Sequence, residues 1–304
     1  MDLSIIIVNY NTKDLLINCL GSIRKKTKGI EYEIIVIDNA SSDGSVGILK
    51  RLEGRDVKVI LNRQNLGFAK ANNQGIRIAK GRFILLLNSD TKIEDSVLVD
   101  MIAFMDKNPR IGIASCALRG KNGSLQATGG YFPTLPRVFS WMFFLDDIPL
   151  LDKIIKPFHP MHEKSPFYKG ESFFKRTGLR DWVTGAFFLI RKEVLDEVGL
   201  LDEDYFMYTE EVDLSFRAKK KGWEVWYLPD WAIVHLGGAS SASEFPIISE
   251  YKGVKIFYKK HMPLWQMPLL RLFLKAGALL RIILFSVLKG GEYAKTYAKA
   301  FQIA

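Results

Sequence analysis

Over the first hundred residues, short runs of β-branched and aliphatic side chains alternate with longer stretches in which apolar residues return every three or four positions. The runs 5–8, 33–37, 57–61 and 82–87 are apolar on both faces, which predicts buried strands of a parallel sheet. The stretches 14–24, 45–52, 68–79 and 95–105 have helical period. Strand and helix therefore follow one another repeatedly, the order of crossover units in an α/β layer structure.

Residues 125–180 break that rhythm, being rich in Phe, Pro and Lys without a clean period, and predict loops or an insertion lining a cleft. Regular pattern resumes at Trp182, with strands expected over 183–190, 224–228 and 231–234 and helices over 192–198 and 210–221. The expected architecture is one Rossmann-like α/β/α sandwich over residues 1–250, divided near 120, followed by a helical tail, 251–304.

Charge sets that tail apart. The chain carries a formal +10, yet residues 251–304 alone hold ten Lys or Arg against one acid, Glu292. Its apolar stretch, 264–288, is interrupted by Arg271, Lys275 and Arg281, so no run approaches the roughly 20 residues that cross a bilayer. On a helical wheel Arg271, Lys275 and Lys289 share one face with Arg281 at its edge, while Leu269, Leu272, Ile283, Val287 and Leu288 gather opposite. This predicts a helix lying in the interface of an anionic membrane; packing on the domain, or on a second copy to form a homodimer, is the plainer reading. Nucleic acid is not the expected partner, because no recognition motif accompanies the basic residues of the tail.

Cys19 and Cys116 lie in apolar stretches with no Cys or His at ligand spacing, so they read as core thiols of a reducing compartment. The first residues lack a basic lead and their apolar run ends at Asn9, which reads as a first strand rather than a secretory leader.

Ligands of open parallel sheets bind beyond the carboxyl ends of the strands. Here those ends carry Asn9-Tyr10-Asn11, then 38–45 with Asp38 and Asp43, then Asn65-Leu66-Gly67, then Asn88-Ser89-Asp90. Each could be a turn or a helix cap alone; their convergence on one rim points to a site. No phosphate-cradling Walker pattern and no GxGxxG follows the first strand, so a bound diphosphate needs a cation, and Asp90 suits Mg²⁺ or Mn²⁺. Glu210 and Glu211 open a predicted helix at the positive end of its dipole, where acids are also common as simple helix starters. His235 precedes a glycine-bearing loop, and Trp182 with Thr184 and Gly185 offers a flat ring and small residues, the plain reading of the Trp being core packing.

As an ordered set, Ser4 to Asn11, Val36 to Ser45, Asn65 to Gly75, Leu87-Asn88-Ser89-Asp90, Trp182 to Ala186 and Tyr205 to Leu214 resemble glycosyltransferase family 2, of the GT-A fold, and particularly its bacterial rhamnosyltransferase-like members. The resemblance implies a nucleotide-sugar site at Val8, Asn9, Asp38, Asp43, Asn65, Gly67, Asn72, Asn88 and Ser89, with Asp38 and Asp43 on base and ribose. It implies a donor half, 1–120, and an acceptor half, 121–250, with Trp182, Thr184 and Gly185 on the acceptor side. Asn88-Ser89-Asp90 stands at the family's Asp-x-Asp position with Asn in first place, and His235 at that of a late histidine that completes the metal site in some members. Glu210-Glu211 stands at its Glu-Asp position, making Glu211 the general base and Glu210 an acceptor contact. The implied reaction is an inverting transfer from dTDP-rhamnose, or a UDP sugar, to a lipid-linked saccharide or polysaccharide at the cytoplasmic face of the inner membrane. A noncatalytic binding scaffold of the same fold is the alternative.

Overall fold

The computed structural model describes residues 1–54, 56–148, 151–160, 171–237, 244–288 and 291–304. The alternating half folds as its pattern dictates: β1 (Leu3–Asn9), α1 (Lys13–Lys26), β2 (Tyr32–Asp38), α2 (Ser45–Leu52), β3 (Val57–Leu61), α3 (Phe68–Ile78), β4 (Phe83–Leu87), β5 (Thr91–Lys92) and α4 (Val97–Lys107). Then come β6 (Ile111–Arg119), β7 (Gly129–Gly130), α5 (Leu135–Met142), α6 (Leu151–Ile154), β8 (Gly178–Leu179), β9 (Trp182–Val183), β10 (Phe187–Arg191), α7 (Lys192–Val198), α8 (Glu210–Lys220) and β11 (Glu224–His235). Three helices close the chain: α9 (Phe245–His261), α10 (Gln266–Leu288) and α11 (Gly291–Ile303).

The main sheet runs β3-β2-β1-β4-β10-β6-β11-β5, with β8 also on β11. β1 to β4 are parallel to one another, and β10 enters antiparallel between β4 and β6. Alternation along β1 sends Ile5 and Ile7 into a core shared with Leu16, Leu20 and Met101, and Ile6 into a second core with Ile76 and Leu214. With both faces covered, the carboxyl ends of the parallel strands are left as the open rim.

A third core, unlike the other two, lies off the sheet. Val138, Trp141 and Met142 of α5 pack with Trp182, Val212, Tyr251, Phe257, Leu270, Leu274 and Ala278. The tail is thus built into the body of the molecule, and α9 runs without a break past residue 250.

Two sequence expectations change here. The single strand over 183–190 is two strands separated at Thr184-Gly185-Ala186, because the chain turns there to face the rim. The strands over 224–228 and 231–234 are one, β11, with a register shift against β6 between Leu228 and Ala232. Arg281 is also corrected: it is buried, and its guanidinium donates to the carbonyls of Trp141 and Met142 at 2.7 and 2.6 Å, capping the end of α5. Lys289 and residues 238–243 lie outside the described residues.

Candidate active site

The rim surrounds a cavity of about 450 Å³. Two groups of side chains face each other across it, one around the end of β4 and one at the start of α8.

At the first, β5 turns back from Asp90 and pairs with the end of β11, His235 opposite Thr91, so Asp90 and His235 become neighbours. The Leu236 N–H donates to the Asp90 carbonyl at 3.0 Å, and the Thr91 hydroxyl to the Asn88 carbonyl at 2.8 Å, fixing the turn. His235 Nε2 lies 3.4 Å from Asp90 Oδ1 and 3.3 Å from Asn88 Nδ2. Ser89 Oγ is engaged with Thr12 at 2.8 Å. A carboxylate oxygen and an imidazole nitrogen this close fit a divalent ion that keeps most of its positions for phosphate and water, and the nitrogen favours Mn²⁺ over Mg²⁺. Among the described residues no group of three His, Cys, Asp or Glu gathers, so a cation at this pair would need further ligands from phosphate or water.

At the second, Glu210 and Glu211 are buried, and the Oε2 of each has no hydrogen-bond partner among the described residues. Burial pushes Glu211 up to about 7, with the charge of Glu250 adding to it and the helix-start N–H groups opposing. Burial, then the charge of Glu211, holds Glu210 well above the ordinary carboxylate range. Burial thus biases both carboxyl groups toward their protonated forms.

The turn presenting them is unusual, since Tyr208 and Thr209 both have positive φ, 69° and 77°, without glycine. Its neighbours hold it in place. The Phe68 N–H donates to the Phe206 carbonyl at 2.6 Å, where the backbone of Gly67 (φ 81°) comes too close for a side chain. On the other side α9 approaches at Gly253, where any side-chain carbon would overlap Thr209, and Phe245 packs on Phe206 and Tyr208. Farther along α8, buried Asp213 pairs with Arg217 at 2.7 Å and with His261 of α9.

Of the residues expected from sequence, Val8, Asn65, Gly67, Asn88, Ser89, Asp90, Thr184, Gly185, Glu210, Glu211 and His235 line this one cavity. Asn9, Asp38, Asp43 and Asn72 do not, because their polar atoms are used within the loops. Asp38 accepts from Asn9 Nδ2 at 2.8 Å and from the Ser41 N–H at 2.9 Å. Asp43 accepts from the N–H groups of Lys13 (2.8 Å) and Ser45 (3.0 Å), and Asn72 donates to the Phe68 carbonyl within α3. These carboxylates and amides tie the loops that shape the rim. Trp182 is buried in the third core, its Nε1 donating to the Tyr131 carbonyl at 3.2 Å, and does not line the cavity. Tyr10, Thr12, Asn39, Phe206, Tyr208 and Phe245 line the cavity without having been singled out. Asn39 stood in view at a strand end, whereas Phe245 comes from a helix whose approach no local pattern announces.

Residues 4–199 match the family model described as glycosyl transferase family 2. The chain is 24% identical over 282 residues, 88% of its own length and 87% of the relative's, to N-acetylglucosaminyl-diphospho-decaprenol L-rhamnosyltransferase of Mycobacterium tuberculosis H37Rv. It is 25% identical over 248 residues, 79% and 86% of the two lengths, to rhamnosyltransferase WbbL of Escherichia coli K12. Among solved structures it is similar to GalNAc-T7 with UDP, GalNAc and Mn²⁺, with TM-score 0.60 and 17% identity over 99% of this chain and 55% of that one. It is also similar to mannosyltransferase PcManGT from Pyrobaculum calidifontis with GDP-Man and Mn²⁺, with TM-score 0.56 and 16% identity over 98% and 73%. These likenesses show the fold, which is GT-A. Matched by the family model over well more than half its length, the chain belongs to glycosyl transferase family 2.

Proposed function

We propose that the chain is a metal-dependent, inverting glycosyltransferase that moves a sugar from a nucleotide to a hydroxyl of a cell-surface glycan precursor. The observation that carries this reading is the pairing, across one cavity, of a two-ligand cation position at Asp90 and His235 with the buried carboxylate of Glu211, whose Oε2 has no partner among the described residues. The nucleotide is held over the strand ends by Val8, Tyr10, Asn39 and Asn65, with its diphosphate toward Asp90. The acceptor enters past Thr184 and Gly185. Glu211 takes the proton of the acceptor hydroxyl as that oxygen bonds to the anomeric carbon and the bond to the diphosphate breaks, a single displacement that inverts the centre and needs no enzyme nucleophile. Mn²⁺ or Mg²⁺ at Asp90 and His235 would offset the charge developing on the departing diphosphate.

The two rhamnosyltransferase relatives support dTDP-rhamnose as donor, ahead of the UDP sugars. The mycobacterial relative, named for a diphospho-decaprenol-linked sugar, supports a lipid-linked saccharide as acceptor, ahead of a polysaccharide. Thermal shift with Mn²⁺ and a panel of nucleotide sugars tests the donor: dTDP-rhamnose should stabilise most, and equal or greater stabilisation by a UDP sugar removes the assignment.

The tail supports attachment to the cytoplasmic face of a membrane. No helix among the described residues is long and apolar enough to cross one. Yet α10 has two apolar faces: Leu270, Leu274 and Ala278 fill the third core, while Leu272 (59% exposed), Leu279, Ile283 and Val287 (82%) face outward beside exposed Arg271 and Lys275. An apolar stripe edged by cations fits an anionic lipid surface. Co-sedimentation should show binding to anionic vesicles that weakens with salt; equal binding to neutral vesicles, or a concentration-dependent dimer that excludes vesicles, would contradict it.

A further inference from the structure

We infer that Gln126 is a positioning residue that fixes the tautomer of His235 and so makes Nε2 the ligating nitrogen. The inference rests on the metal reading above and deepens it.

Gln126 makes both of its side-chain hydrogen bonds to one residue. Its Nε2 donates to the main-chain carbonyl of His235 at 2.9 Å, and its Oε1 lies 2.6 Å from His235 Nδ1. A carbonyl can only accept, so the amide NH₂ must face it, and the amide oxygen is thereby turned toward the ring. Two acceptors cannot share a contact of 2.6 Å, so Nδ1 must carry the proton. In the neutral imidazole the lone pair then belongs to Nε2, the nitrogen that faces Asp90 and Asn88 across the cavity rim. The surroundings of Nε2 agree: the nearest Asp90 oxygen stands off at 3.4 Å, long for a hydrogen bond, and the Asn88 group closest to it, at 3.3 Å, is the amide nitrogen, a donor.

Gln126 is itself held by the fold. Its N–H donates to the Leu118 carbonyl at 2.9 Å and its carbonyl accepts from the Thr128 hydroxyl at 2.9 Å. Leu118 lies opposite Ile233 in the β6–β11 ladder, so the strand that carries His235 also positions the residue that orients it. Metal-bound imidazoles generally give their second nitrogen to a carbonyl, carboxylate or similar acceptor, which fixes ring orientation and raises ligand basicity. A side-chain amide clamped at both ends serves that purpose while adding no charge.

The test uses the full-length protein with ¹⁵N-labelled histidine. The chain has four histidines, and the His235 signals are identified by their loss in His235→Asn. At a pH where His235 is neutral, its ¹⁵N shifts should report a proton on Nδ1 and none on Nε2 without any metal. Gln126→Leu should give averaged shifts of mixed tautomers and weaken Mn²⁺ binding in the presence of UDP, followed by electron paramagnetic resonance, by about 10- to 100-fold. A proton on Nε2 in the wild type, or unaltered Mn²⁺ affinity in a folded Gln126→Leu protein, overturns the inference. If instead the wild type shows the expected tautomer and never binds Mn²⁺ with any nucleoside diphosphate, the metal reading fails, and the role of Gln126 in ligation falls with it.

Discussion

Replacing Glu211 with Gln should lower kcat by about 10²- to 10⁴-fold, leave the affinity for the donor nearly unchanged, and cost no stability. The carboxylate is buried, one of its oxygens has no partner, and Gln keeps its shape while removing only the ability to take a proton. With Glu211 raised to about 7, activity of the wild type should fall as pH drops through that value and the base becomes protonated. The stability argument has the opposite direction. The folded state keeps a proton that the unfolded chain has already released above about 4.5, so stability is lost as pH rises from there through about 7. Gln has no such proton to lose, and above neutrality the variant should melt at the same temperature as the wild type or higher. Steady-state kinetics and thermal melts at two pH values measure both effects; an active Gln variant, or one that melts early at high pH, would show that Glu211 supports the fold rather than the chemistry.

The nucleotide-binding half was legible because its strands are apolar on both faces and its helices on one, and the two periods do not overlap. The helices at 45–52 and 192–198 and the strand at 57–61 begin and end where the pattern puts them. β6 escaped notice because Gly112, Ala114, Ser115 and Cys116 dilute its apolar run, although the strand is buried almost throughout. The amphipathic reading of 264–288 found the exposed stripe on α10 but not the buried one. A helix apolar on two sides has a weak period, and Arg281 looks like surface until α5 supplies carbonyls for it.

The site divides along a similar line. Residues at strand ends could be found from order alone, which is why Asp90, Asn88 and Asn65 fall on the cavity. That Asp38 and Asp43 also tie loops together could not be seen from order, because the N–H groups they accept from are placed by the fold. Gln126, Gly253 and Phe245 act across the fold on residues far away in sequence, so nothing local marks them.

Asp90 carries the central claim. Its carboxylate is the one anionic group paired with His235 Nε2 among the described residues, and its main-chain carbonyl, bonded to the Leu236 N–H, holds the turn whatever side chain stands there. Asp90→Ala should therefore preserve the fold while removing the charge that draws a cation to the diphosphate. Transfer should fall by on the order of 10³-fold, as when a preorganised group that stabilises a leaving group is deleted. The direct measurement is release of nucleoside diphosphate from a nucleotide sugar by wild type and Asp90→Ala, each with Mn²⁺ and with chelator. Release is expected from the wild type with Mn²⁺ alone and almost none in the other three conditions; metal-dependent release that survives in Asp90→Ala would contradict a metal role for Asp90.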